Sequence, residues 1–183
     1  MKSIEGIILK KSPRREADIV VTLYTKEHGL MEILAKGARK SEAKLKSGLD
    51  IFNQVEIFYI LARYLPIATD FKIKDDFKNI KGDLFRLKLA HFSAGVMLKI
   101  FEPGLAEPLV WQKLSDFFSD ININNDQNLR VELTETTYEW CHDILVLNGL
   151  NPRSPDFEPI KESDLKKKTQ DLFLHHFGLT IDI

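Results

Sequence analysis

Between Lys36 and Lys46 the chain places five cations against one acid: Lys36, Arg39, Lys40, Lys44 and Lys46, with Glu42 among them and Gly37 and Gly48 alongside. Cations on a flexible loop follow a phosphate backbone and release the counterions condensed on it. Lys10, Lys11, Arg14 and Arg15 form a second basic group around Pro13. The plain alternative for both groups is a solvated turn. Bond-making chemistry has weaker candidates. Cys141-His142 lies between Glu139 and Asp143. On a helix, residues 139 and 143 share a face while 141 and 142 point elsewhere, and a lone cysteine is usually a packing residue. His175 and His176 are adjacent, so a helix turns them apart and they make a poor metal pair. Asp75-Asp76 reads as a turn, and Lys166-Lys167-Lys168 as a solvated helix face. No glycine-rich phosphate loop, zinc-protease helix, serine elbow or dinucleotide fingerprint is present. The residues therefore predict a binding protein with no catalytic group, no metal and no cofactor.

Composition sets the frame for these clusters. The chain has 183 residues, 44% of them hydrophobic, and a formal net charge of −1. That near-neutrality hides an asymmetry. Residues 1–48 hold eleven cations and six acids, a net +5, so the remainder carries −6. A basic front and an acidic back suggest that one end meets an anionic polymer. Charge interrupts every apolar stretch well short of a membrane span. The N-terminus enters a strand pattern at once, with no signal peptide. One cysteine allows no internal disulfide, which fits a reducing cytoplasm.

The elements that must carry the basic groups change character along the chain. Up to about residue 74, apolar residues fall on alternate positions: Ile19, Val21, Leu23; Met31, Ile33, Ala35; Ile51, Val55, Ile57, Tyr59, Leu61; and Leu65, Ile67, Phe71, Ile73. Period two with one wet face marks an antiparallel sheet. With Ile4–Lys10 this gives five strands, enough for a small barrel of the OB or SH3-like kind. Tyr24, Phe58 and Tyr64 fall on the outer face, either to stack on bases or to pack beneath a neighbouring domain. The boundary is expected near Asp75-Asp76-Phe77-Lys78, dividing residues 1–78 from a helical domain at 79–183. There Asp83 is a plausible N-cap, and Glu102-Pro103-Gly104 stops the first long helix. Further helices are expected near 106–119, 126–148 and 161–177, with Gly149 as a C-cap.

Residues 5–52 carry a family resemblance. Gly6-Ile7-Ile8-Leu9-Lys10, Glu16-Ala17-Asp18 and the run from Asp18 to Lys40, DIVVTLYTKEHGLMEILAKGARK, closely resemble the opening domain of RecO, a family of bacterial recombination mediators. The resemblance selects the OB-fold: an N-terminal five-stranded barrel followed by an all-helical domain. More loosely, Leu145–Pro152 resembles the end of the family's long helix and Leu172–Gly178 its closing helix. Many members carry a cysteine-bearing, zinc-type insertion between the two; this chain does not, and resembles a shortened, metal-free member. The resemblance implies binding of single- and double-stranded DNA, annealing of complementary strands and loading of recombinase at gaps. It also implies the C-terminal tail of single-strand-binding protein and RecR as partners, no membrane association, and a cytoplasmic, nucleoid-associated place of work. Two readings from other classes remain beside it: an adapter whose barrel binds only protein, and a nucleic-acid-processing enzyme with an OB appendage.

Overall fold

The computed structural model describes residues 1–39, 45, 48–123, 129–152 and 164–181. They fall into two compact units, Met1–Lys78 with Phe101–Trp111, and Asn79–Ile100 with Gln112–Ile183.

The first unit is a closed five-stranded barrel of OB type. Strands β1 (Lys2–Arg14), β2 (Asp18–Thr25), β3 (Gly29–Ala35), β4 (Gln54–Ile60) and β5 (Ile67–Asp75) close in the order β1-β2-β3-β5-β4. The long β1 serves two partners. Lys2–Ile7 pair with β4, and Gly6–Arg14 pair with β2 across a register shift between Ile8 and Lys10. The extra residue, Leu9, bends the strand as bulges do. Past Ile8, β1 has only β2 as a strand partner, an edge position of the kind in which Pro13 is tolerated. Closure is a short parallel contact. Leu34 pairs with Ile67, and its N–H donates to the Pro66 carbonyl at 2.8 Å.

Alternation places Val21, Leu23, Ile33, Ala35, Val55, Ile57 and Tyr59 in the barrel core, as the sequence predicts. It fails in β5, where Phe58 pairs with Asp70 but Tyr59 with Ala68. The skipped Thr69 shifts the phase, so that Ala68 and Phe71 both face the core; Ile73, near the end of the strand, is exposed. The outer face is not uniformly wet either. Val20, Thr22 and Tyr24 of β2 are buried. Within this unit Phe101 meets the Tyr24 ring edge-on at 5.8 Å, Gly104 N–H donates to the Leu30 carbonyl at 3.1 Å, and Pro103 bridges to Gly29 and Leu30. The chain near residues 101–105 therefore overlies the tip of the β2–β3 hairpin.

That hairpin turns tightly. Thr25 Oγ1 donates to the Gly29 carbonyl at 2.8 Å and accepts from His28 N–H at 3.0 Å. Gly29 sits at φ +61°, and a Cβ there would fall 2.0 Å from the Leu105 carbonyl oxygen.

In the second unit, α1 (Lys78–Gly82), counted from Asn79 onward, is followed by α2 (Leu84–Ile100). Asp83 caps α2, its Oδ1 accepting the Arg86 N–H at 2.9 Å. Helix α3 spans Pro108–Asn122 and enters this unit at Gln112; α4 (Leu129–Leu147) follows it. α4 ends as expected at Gly149, φ +77°, with Leu150 N–H donating to the Leu145 carbonyl. α5 (Leu165–Leu172) continues into a π-helical turn at Phe173–Phe177. Leu114, Phe117, Phe118, Leu133, Trp140, Ile144 and Phe173 are buried, with Phe117 stacked on Trp140 at 5.0 Å. Leu84 and Leu109 are exposed, whereas Arg86 is buried. Its Nη1 donates to the carbonyls of Ile121 and Ile123 at 2.7 and 2.6 Å, neutralising the carbonyl-rich end of α3. No helix among the described residues is long and apolar enough to cross a membrane.

Two outcomes follow. Gly29→Ala is expected to cost about 2–4 kcal/mol in urea unfolding, from a left-handed backbone and a carbonyl clash together. The Tyr24 hydroxyl is fully buried. Burial pushes its pKa from 10.0 to about 12, partly offset by the Glu107 backbone. The unfolded chain gives up this proton near pH 10, the folded chain only near 12. Its contribution is thus whole below pH 10 and is lost as pH rises to 12, on the order of 2–3 kcal/mol. Tyr24→Phe should remove that loss, so the variant's urea midpoint exceeds the parent's by more at pH 11.5 than at pH 8.

Candidate nucleic-acid interface

One end of the barrel gathers the basic residues. β1 does not stop at Lys10 but runs on to Arg14, which pairs with Asp18 across the turn Arg15-Glu16-Ala17. Lys10 and Lys11 therefore stand in the strand, opposite Thr22 and Val21, and not in the connection after it. Pairing of Ile19 with Ala35 sets this turn beside the end of β3. The segment that follows β3 is stitched to it. Gly37 N–H donates to Asp18 Oδ1 at 2.8 Å, and Arg39 N–H to the Ala17 carbonyl at 2.9 Å. Gly37 takes φ +66° to make the bend. Ala38 is tucked into the core at 1% exposure. Its neighbours on either side of that anchor, Lys36 and Arg39, are exposed, as are Arg14 and Arg15.

Four cations from two connections thus emerge together. Arg14 lies in the strand ladder and the Gly37 and Arg39 N–H groups are bonded, so a polyanion meets charges that are already placed. Of the other cations, Lys10 is exposed, while Lys11 is half-buried and bonds Asp50 Oδ1 at 3.2 Å. Lys11 and Arg39 rim a shallow hollow floored by Ile19, Ala38, Leu45 and Leu49. Lys40, Lys44 and Lys46 lie outside the described residues.

The three aromatics of the outer face part company. Tyr24 is fully buried beneath Phe101 and cannot stack on a base. Phe58 is half-buried, with its carbonyl accepting the Thr69 hydroxyl at 3.1 Å. Tyr64 stands 80% exposed in the β4–β5 connection. In OB barrels the connections after the first and fourth strands flank the ligand groove. Arg63, beside Tyr64, is a cation the composition of the basic clusters did not single out; its place in that connection was the available signal.

Groups weighed for chemistry are mostly accounted for by structure. Cys141 is fully buried, and burial pushes its thiol pKa well above the ordinary value. That leaves it a poor nucleophile. The Asp75 carboxylate accepts the Phe77 N–H at 2.7 Å, which makes it a turn residue. His175 and His176 are exposed with rings at 90°. Among the described residues no three His, Cys, Asp or Glu side chains are grouped to hold a metal. In the helical unit Lys113 bonds Asp143 at 2.7 Å, a partner that raises its pKa. Arg130 lies over the Phe85 ring at 5.5 Å. Lys166 pairs with Glu135 and lies over the Tyr138 ring at 5.4 Å.

Comparison with known proteins agrees with this architecture. Residues 1–77 match the family model described as Recombination protein O N terminal. The chain is 24% identical over 135 residues to the DNA repair protein RecO of Listeria monocytogenes, covering 74% of this chain and 53% of that protein. It is 27% identical over 150 residues to the DNA repair protein RecO of Desulfatibacillum aliphaticivorans, covering 80% and 56% respectively. Over 100 residues it is 28% identical to the protein of the same name from Moorella thermoacetica, covering 55% and 38%. The chain thus spans about half the length of the first of these relatives. The residues that form the closed barrel, 1–77, are thus the ones that match the Recombination protein O N terminal model, and the chain as a whole is similar to proteins named DNA repair protein RecO.

Proposed function

We propose that this chain acts in DNA repair and recombination by binding DNA at the basic end of its barrel and annealing complementary single strands. The observation that carries the proposal is the convergence of exposed Arg14, Arg15, Lys36 and Arg39 at one end of an OB barrel. Lys10, Lys11, Lys40, Lys44 and Lys46 extend the same reading along the sequence. Cations there lower the repulsion between two phosphate backbones, while base pairing itself reads the sequence. No bond is broken, so no catalytic group is required. In this reading the protein helps load recombinase onto gaps coated by single-strand-binding protein. The acidic tail of that protein and RecR are its partners, and the helical unit is the surface for them. Of Lys88, Lys113 and Lys166, Lys88, exposed on α2, is the one suited to meet an acidic tail, because the other two already face carboxylates. The work belongs in the cytoplasm, at the nucleoid.

If about four cations contact phosphates, log affinity for a single strand should fall against log salt with a slope near −3, at roughly 0.7 per contact. Lys36→Ala with Arg39→Ala should flatten that slope by about 1.4 and weaken all sequences alike. Annealing of complementary oligonucleotides by the full chain should slow in the same variant. An unchanged slope and an unchanged annealing rate would refute the proposal.

A further inference from the structure

Tyr64 is the most exposed aromatic ring in the barrel unit, at 80% exposure, and nothing in the packing of the unit explains it. It belongs to the β4–β5 connection, residues 61–66, which also exposes Leu61 at 66%. The connection is short and closed at its base, since Ile60 pairs with Ile67. Pro66 restricts the residue before it and lends its carbonyl to Leu34 N–H at 2.8 Å. Tyr64 is therefore held out into solvent from a fixed base. The Arg63 guanidinium lies over its ring, 5.4 Å from the centroid.

The register decides where this ring stands. Pairing of Leu34 with Ile67 brings the end of the connection beside the end of β3, from which Lys36 and Arg39 emerge two and five residues later. Charge and an open aromatic face thus share one end of the barrel. We propose that Arg63 and Tyr64 form a platform on which one unpaired base of a single strand stacks, next to the phosphates held by Lys36 and Arg39. This rests on the reading of that end as the DNA-binding surface. An aromatic ring stacks on any base, because every base has a π-face. A duplex hides those faces within its own stack, so the ring adds nothing there. Cations, by contrast, serve single and double strands alike. The pair accordingly confers preference for single strands. Arg63 holds the ring by cation–π contact and offers a further charge.

The test measures affinity of the full chain for a single-stranded oligonucleotide and for the matching duplex across a salt series. Tyr64→Ala should weaken single-strand binding about 5- to 150-fold, the range for one lost stacking contact. It should leave duplex affinity and the single-strand salt slope unchanged, and Tyr64→Phe should restore the loss. Arg63→Ala should weaken single-strand binding and also flatten the slope by roughly 0.7. Thermal unfolding of Tyr64→Ala should match the parent, as expected for so exposed a ring. The inference is overturned if Tyr64→Ala binds single strands as tightly as the parent, or weakens single strand and duplex equally. Failure of Lys36→Ala with Arg39→Ala to change the slope identifies the other case, in which the DNA-binding reading of this end is itself wrong and the platform falls with it.

Discussion

One hydrogen bond sets the geometry on which the functional end depends: Leu34 N–H to the Pro66 carbonyl, at the parallel step between β3 and β5. The other strand pairs of the barrel are antiparallel ladders with many rungs. This one is a single register pair, yet without it the sheet would be an open ribbon with two edges to protect. Closing the sheet there fixes two exits at once. β3 leaves the barrel toward Lys36 and Arg39, and the chain enters β5 from Arg63 and Tyr64. The β1–β2 turn joins them through Asp18 and Ala17, which bind the backbone of Gly37 and Arg39. Position therefore comes from backbone bonds, and the charged side chains are left free for solvent or ligand.

Much of this was legible in the residues. Alternation in β2, β3 and β4 needs only a pleat and an apolar interior, and it named the core of those strands correctly. Asp83 and Gly149 announced helix ends because capping is local chemistry. What escaped was set by distant chain. The phase of β5 hinges on Thr69 being skipped opposite β4, which no pattern within β5 reveals. The burial of Tyr24 depends on Phe101, about eighty positions later. Arg86 is buried because its guanidinium donates to the carbonyls of Ile121 and Ile123, which lie about thirty-five positions later. Types and spacing identified the basic clusters, but register alone distinguished Lys10 and Lys11 in a strand from Arg14, Arg15, Lys36 and Arg39 at one end.

Net charge by segment is correspondingly a blunt guide. The helical half is acidic overall, yet several of its cations are already spoken for: Arg86 by carbonyls, Lys113 by Asp143, Lys166 by Glu135. In the barrel, Lys11 is similarly held by Asp50. Among the described residues, the exposed cations gathered at the barrel's end are Arg14, Arg15, Lys36 and Arg39.

The cover over the β2–β3 hairpin has a consequence for how the molecule is made. Phe101–Trp111 belongs with a barrel whose last strand ends at Asp75, so the unit is discontinuous in the chain, with the whole of α2 synthesised in between. A nascent chain can pair its five strands before that cover exists, but Tyr24 and Leu30 stay open to water until residues beyond 100 have left the ribosome. During that interval the half-dressed barrel shows an apolar patch, and contacts of such long sequence separation form slowly. The order of synthesis thus makes this hairpin tip the part of the barrel to mature last, and the part most in need of shelter while it waits.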